Sequence, residues 1–279
     1  MKTSILCLCL LFAVSCIPHD ARTLIHKAKE NAKEGDYENA IKGFTVALKV
    51  DPNNQDGYFY RADVYFQQNK FDLAKSDLTS LLKINAKYQY GYFHRGFIYF
   101  TLGKYDLAIL DYNLELKNYP NEFDVLYNRG YVYHKLFKLD LALQDFDKAI
   151  KINSKKSDFF RERGSVYYDK NNFESAIRDF TIAIKINPSD DASYNYRGGC
   201  YKFIGKMELA IVDYSSSVKY NPNNVGAYMN RGDAYNKLAK EELAISDYKK
   251  AADLGFEPGS TCLKQIFNID YPASKKGKK

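Results

Sequence analysis

Apolar and aromatic residues recur along this chain at helical spacing, and the spacing itself repeats. In the frame 157–190, the side chains Phe160, Gly164 and Tyr167 fall at i, i+4 and i+7, one face of a helix. Asn171–Asn172 interrupts that stripe. Ala176, Phe180 and Ala183 then form a second stripe, which Pro188 ends because it cannot continue a helix. The frame 123–156 has the same plan, and shifting it by 34 residues in either direction returns the pattern without a gap. Gly130 recurs as Gly96, Gly164, Gly198 and Gly232, and Tyr133 as Tyr65, Tyr99, Tyr167, Tyr201 and Tyr235. Ala142 recurs in every copy, as Ala40, Ala74, Ala108, Ala176, Ala210 and Ala244. Seven ungapped copies run over 21–54, 55–88, 89–122, 123–156, 157–190, 191–224 and 225–258. A repeat of this period predicts helix pairs that stack on their neighbours, with stability drawn from neighbour contacts and not from one large core.

The offsets are specific. Tyr194, Gly198, Tyr201, Ala210, Tyr214 and Pro222 set a large aromatic, a small residue, Tyr, Ala, an aromatic and Pro at fixed distances, and this resembles the tetratricopeptide repeat. The resemblance implies an all-α fold: a right-handed superhelical solenoid of antiparallel helix pairs, whose concave groove binds peptides or proteins. It implies no catalytic chemistry and no cofactor.

One departure from the family pattern recurs. Where the family most often has Leu before the small residue, this chain has Arg61, Arg95, Arg129, Arg163, Arg197 and Arg231. Sixteen residues after each stands Asp77, Asp111, Asp145, Asp179, Asp213 or Asp247. The first copy has Lys27 and Gly43 there and lacks both partners together. Pairing within a repeat therefore matches all six, whereas pairing to the next repeat would leave Arg61 and Asp247 alone. Six structural ion pairs joining the two helices of a repeat are expected; a role for these Arg as anion clamps is the rival reading.

By the resemblance, the exposed face of each first helix lines the groove. Copies two to four, with the residue following them in copy five, present Phe59, Phe66, Phe93, Phe97, Phe100, Tyr127, Tyr131, His134 and Tyr168. Later copies present mainly Arg161, Ser165, Asn195, Gly199, Lys202, Asp233 and Asn236. Clustered aromatics left in water mark binding surfaces, so these nine are the candidate partner-binding groove. The competing reading is that neighbouring first helices bury one another's rings. Some family members clamp a carboxylate with Lys and Asn on adjacent repeats, but Asn128 and Asn230 lie three repeats apart and the Lys partners are missing, so that site is not carried over.

Composition changes the picture little. Of the +7 net charge, four lysines lie in Lys275–Lys279 and Lys2 lies at the start, so the repeats keep only a small excess and no nucleic-acid partner is expected. Lys2, the apolar run Ile5–Val14 and Ser15–Cys16 read as a secretory leader over 1–16, too short to span a bilayer. Ala13-Val14-Ser15-Cys16 resembles a bacterial lipoprotein signal with Cys16 as the lipidated residue, although Ala13 stands where Leu is more usual. Ordinary signal cleavage, giving a soluble periplasmic or secreted chain, and a retained anchor or no export are the alternatives. After a short linker, 17–20, Asp20 is placed to cap the first helix. Cys200 occupies a position filled elsewhere by Val64, Ile98, Val132, Val166 and Ala234, so it reads as core, and neither a disulfide framework nor a metal site is expected.

Beyond Pro258, Ser260 or Thr261 is expected to start a capping helix over 259–268 with Leu263, Ile266 and Phe267 on one face, followed by a basic disordered tail over 269–279. No Gly-rich phosphate loop, His-Glu-x-x-His or Cys/His pair is present. The chain thus reads as a non-catalytic interaction scaffold for a protein or peptide, and its envelope-lipoprotein likeness implies an assembly or secretion accessory role. The alternative is a membrane-surface factor acting through its lipid anchor and basic tail.

Overall fold

The structure, a computed structural model, describes residues 20–273, so the leader, Cys16 and Lys275–Lys279 lie outside the described residues. The described residues are helical, without strands, and form two compact units, one ending at Leu107 and one beginning at Ala108. The first unit holds the pairs α1 (Ala21–Lys33) with α2 (Tyr37–Val50) and α3 (Gln55–Gln67) with α4 (Phe71–Ile84), then α5 (Gly91–Thr101). The boundary falls inside α6 (Tyr105–Asn118). The second unit holds the pairs α7 (Phe123–Lys135) with α8 (Leu139–Ile152), α9 (Ser157–Asp169) with α10 (Phe173–Ile186), α11 (Asp191–Phe203) with α12 (Met207–Tyr220) and α13 (Val225–Lys237) with α14 (Glu241–Asp253), then α15 (Glu257–Phe267). Within each unit every pair packs on the next, and the first helices α1 and α3, α7 and α9, α9 and α11, and α11 and α13 also touch.

Local chemistry sets the helix ends. Asp20 accepts from the Thr23 amide at 2.8 Å and Asn54 from Gly57 at 3.0 Å, satisfying amides that have no partner inside the helix. The turn between the helices of a pair is closed by one left-handed residue: Gly35, Asn69, Gly103, Phe137, Asn171, Gly205 and Ala239 all have positive φ. Glycine and asparagine take that conformation readily, whereas Phe137 and Ala239 hold it at a cost.

The small residue of each repeat has a steric reason. A Cβ added to Gly164 would stand 2.9 Å from Phe180, and one on Gly198 2.7 Å from Tyr214. The ring on the second helix fills the space that glycine leaves on the first. Phe44, Tyr112, Phe146, Phe180, Tyr214 and Tyr248 are all fully buried. Tyr248 donates to Asp233 at 2.9 Å, but the Tyr214 hydroxyl finds no hydrogen-bond partner among the described residues. One repeat before Asp233 stands Gly199, which brings no acceptor. A buried, unbonded hydroxyl costs about 1–3 kcal/mol. Tyr214→Phe is therefore expected to raise stability by about 1 kcal/mol, while Tyr248→Phe, which breaks a bond, does not; urea unfolding of the two variants checks this.

At the C-terminal end the helix begins earlier than the sequence suggests, at Glu257, with Pro258 in its first turn, and not at Ser260 or Thr261. Proline is tolerated there because the first-turn amides are unbonded anyway. Leu263 is fully buried against Ala244 and Tyr248, covering the last repeat. Residues 269–273, expected as the start of a disordered tail, instead fold back: Ile269 and Tyr271 pack on the same cluster, and Tyr271 donates to Asp253 at 2.8 Å. No helix among the described residues is long and apolar enough to cross a membrane.

Candidate functional site

The recurrent arginines are engaged on three sides. Arg61, Arg129, Arg163, Arg197 and Arg231 each form a fork with the aspartate sixteen residues on, through Nη2 at 2.6–2.7 Å and Nε at 2.7–2.8 Å. The remaining Nη1 reaches back to the second helix of the preceding repeat. It meets Thr45 at 2.9 Å, Asn113 at 2.6 Å, Asp147 at 2.7 Å, Thr181 at 3.0 Å and Ser215 at 3.0 Å, respectively. Burial opposes the charge on Arg129, but the bonds it donates to Asp145, with that carboxylate's charge, more than offset it and hold the guanidinium above its usual pKa. With every arm of the fork occupied, these five arginines join three helices and do not offer an open anion site. Arg95 donates to Thr79 at 3.3 Å, and Asp111 is buried; the two lie in different units, and their pairing stays an expectation.

The nine groove candidates are all half-buried, neither free nor enclosed. In the first unit, Phe59 meets His94 edge-on with centroids 5.0 Å apart, and Phe66 meets Phe97 at 5.7 Å. Phe97 also lies 6.0 Å from Phe100, and Phe93 lies 5.5 Å from His94. Burial pushes the His94 imidazole below its usual pKa and favours the neutral ring. Beside this cluster a cleft of about 410 Å³ is lined by Lys29, Lys33, Tyr37, Tyr60, Asp63 and Gln67, among others. The Lys29 ammonium sits 3.9 Å above the Tyr60 ring, and Tyr37 donates to Gln67 at 2.8 Å.

In the second unit, Tyr127 stacks on Phe159 at 5.0 Å, and burial pushes its phenol upward, so this ring serves mainly as packing. Tyr168 lies 6.0 Å from Tyr196 and 5.8 Å from both Phe173 and Phe203. Tyr131 and His134 face a cleft of about 480 Å³ that also takes in Arg161, Glu162, Asp169 and Tyr196. His134 Nε2 lies 2.7 Å from Asp169. Arg161 lies 2.8 Å from Asp158, 3.1 Å from Asp190 and 3.4 Å from Glu162. Burial pushes the Glu162 carboxyl above its usual pKa despite Arg161. Tyr196 stacks on Phe180 at 5.5 Å yet remains 40% exposed, so one face of the pair is covered and the other open to the cleft.

Glu162, Asp169 and Tyr196 were not among the sequence candidates. A signal for two of them exists. The residue just before each recurrent Arg is Tyr60, His94, Asn128, Glu162, Tyr196 or Asn230, a position variable in chemistry, and Tyr60, His94, Glu162 and Tyr196 among them line clefts. Among the described residues no group of three or more His, Cys, Asp or Glu is placed to hold a metal ion. Cys200 is buried, and burial pushes its thiol up to about 12, which keeps it unreactive.

One tetratricopeptide repeat model matches residues 27–88, 65–123 and 161–214, and two others match 123–156 and 225–254. No curated protein matches the chain. Among solved structures, a tetratricopeptide repeat protein from Parabacteroides merdae is similar over 89% of this chain and 99% of its own, at 26% identity and a TM-score of 0.66. The C-terminal part of a repeat-containing protein from Cytophaga hutchinsonii is similar over 82% of this chain and 95% of its own, at 21% identity and a TM-score of 0.67. YrrB, described as a tetratricopeptide protein with an unusual peptide-binding site, is similar over 66% of this chain and 95% of its own, at 19% identity and a TM-score of 0.58.

Proposed function

The chain belongs to the tetratricopeptide repeat family, and we propose that it is a non-catalytic interaction scaffold that holds an extended peptide or protein segment against the first-helix faces of its units. The observation that carries this reading is a contrast in burial. The recurrent second-helix rings Phe44, Tyr112, Phe146, Phe180, Tyr214 and Tyr248 are fully buried, whereas the nine groove candidates on the first helices remain partly exposed after packing. Packing explains the first set completely and the second only in part. Half-exposed aromatics beside clefts of this size suit side-chain recognition. YrrB's described peptide-binding site supports the class of partner, though that likeness is one of fold.

The test is panning of a displayed library of short random peptides against the whole chain. Enrichment is expected on the wild type and not on Phe97→Asp or Tyr131→Asp variants whose circular dichroism is unchanged. Equal enrichment on all three would move the binding surface elsewhere. Export, with Cys16 lipidated and a role in envelope assembly or secretion, is part of the same proposal and rests on residues 1–16 alone. Metabolic labelling with palmitate should mark the wild type and not Cys16→Ser.

A further inference from the structure

The cleft of the second unit has an uneven charge balance. Glu162 and Asp169 line it, and Asp158 and Asp190 pair with its Arg161. Against these four carboxylates stand the two fixed cations Arg161 and Lys135, with His134 on Asp169. The walls are the rings of Tyr131 on α7 and Tyr196 on α11, with Ser165 of α9 between them. The protein's own Lys135 points to what the cleft accepts: its ammonium lies 5.1 Å from the Tyr131 ring centre. A ring face flanked by carboxylates attracts a cation, and the aliphatic stem of a basic side chain packs on aromatic walls. An anion would be placed beside Glu162, whose charge burial already disfavours. An apolar group would strip water from carboxylates without replacing it.

We propose that this cleft seats a lysine or arginine side chain of the bound segment, its cationic head toward Glu162 and Asp169 and its stem between Tyr131 and Tyr196. The proposal rests on the peptide-scaffold reading and adds the chemistry of one residue of the partner. Lys135 then acts as a resident competitor for the Tyr131 face.

The test uses the full chain labelled with fluorotyrosine, titrated with N-acetyl-arginine amide and, as control, N-acetyl-glutamate amide, with fluorine resonances followed by NMR. The arginine compound is expected to shift the Tyr131 and Tyr196 signals saturably, and the glutamate compound is not. Glu162→Gln should weaken binding about tenfold, the loss expected for one charge-assisted bond. Lys135→Gln should strengthen binding by removing the competing cation. Asp169→Asn, on a more exposed side chain, serves as the second weakening variant if Glu162→Gln fails to fold. No saturable shift, equal binding of both compounds, or indifference to both acidic substitutions would overturn the proposal. If library peptides are retained at this face while the arginine compound gives no shift, the scaffold reading stands and this one fails. If the arginine compound binds in the stated pattern while the library yields nothing, the seat stands and the scaffold reading falls.

Discussion

Replacing Arg129 by leucine is expected to lower the stability of the second unit by about 3–5 kcal/mol, the usual cost of leaving one member of a buried ion pair behind. The Asp145 side chain is only 3% exposed, so water cannot take over from the lost guanidinium. Asn113 would lose its partner at 2.6 Å in the same step. Asp145→Ala should cost less, because Arg129 is 16% exposed and keeps both Asn113 and the Tyr133 ring, 5.8 Å away. The double replacement Arg129→Leu with Asp145→Leu should recover most of the loss, since two apolar groups leave no uncompensated charge. Repeat arrays need not unfold in one step, so urea unfolding should be paired with hydrogen exchange in α7 and α8. A double variant no better than the single would show that the pair is not the source of the effect.

The same pair shows what sequence alone reveals and where it stops. Pairing within the repeat follows from one irregular copy, because Lys27 and Gly43 lose both charges together. The third arm of the clasp was also present as a pattern, since Thr45, Thr79, Asn113, Asp147, Thr181 and Ser215 are all polar at one register. That contact runs backward into the previous repeat, and its meaning appears only once the pairs are stacked. The helix pairs themselves were legible because the period of Gly, Tyr and Ala never slips. The groove was legible only as a face. Glu162 and Tyr196 reach the cleft from the position preceding the Arg, one step around the helix from the aromatic positions. Residues 269–273 carry too few apolar side chains to show a period, so the return of Ile269 and Tyr271 onto the last repeat had no signal of its own.

Gly259→Ala is expected to detach the terminal helix. A Cβ at Gly259 would lie 2.6 Å from the Tyr248 carbonyl oxygen and 2.9 Å from the Ala252 nitrogen. Both are backbone atoms of α14, so no rotamer change relieves the clash, and α15 must move away as a whole. Overpacking of this kind costs about 1–3 kcal/mol, and lifting α15 also uncovers the space filled by Leu263, where a buried leucine is worth about 2–5 kcal/mol. An exposed terminal repeat has no further neighbour to stabilise it, so hydrogen-exchange protection should fall through α15, α14 and α13 before it changes in α7. Gly226→Ala is the control. Its nearest neighbours would be Asn224 at 3.5 Å and Asn195 at 3.9 Å, both side chains in ordinary contact, and the site is helical. Alanine there should leave stability unchanged or raise it by up to about 1 kcal/mol through helix propensity. The two substitutions add the same methyl group, so helix propensity favours both. Opposite signs would isolate the backbone contact under Gly259 as the reason for glycine, and equal effects would show that the cap does not depend on that approach.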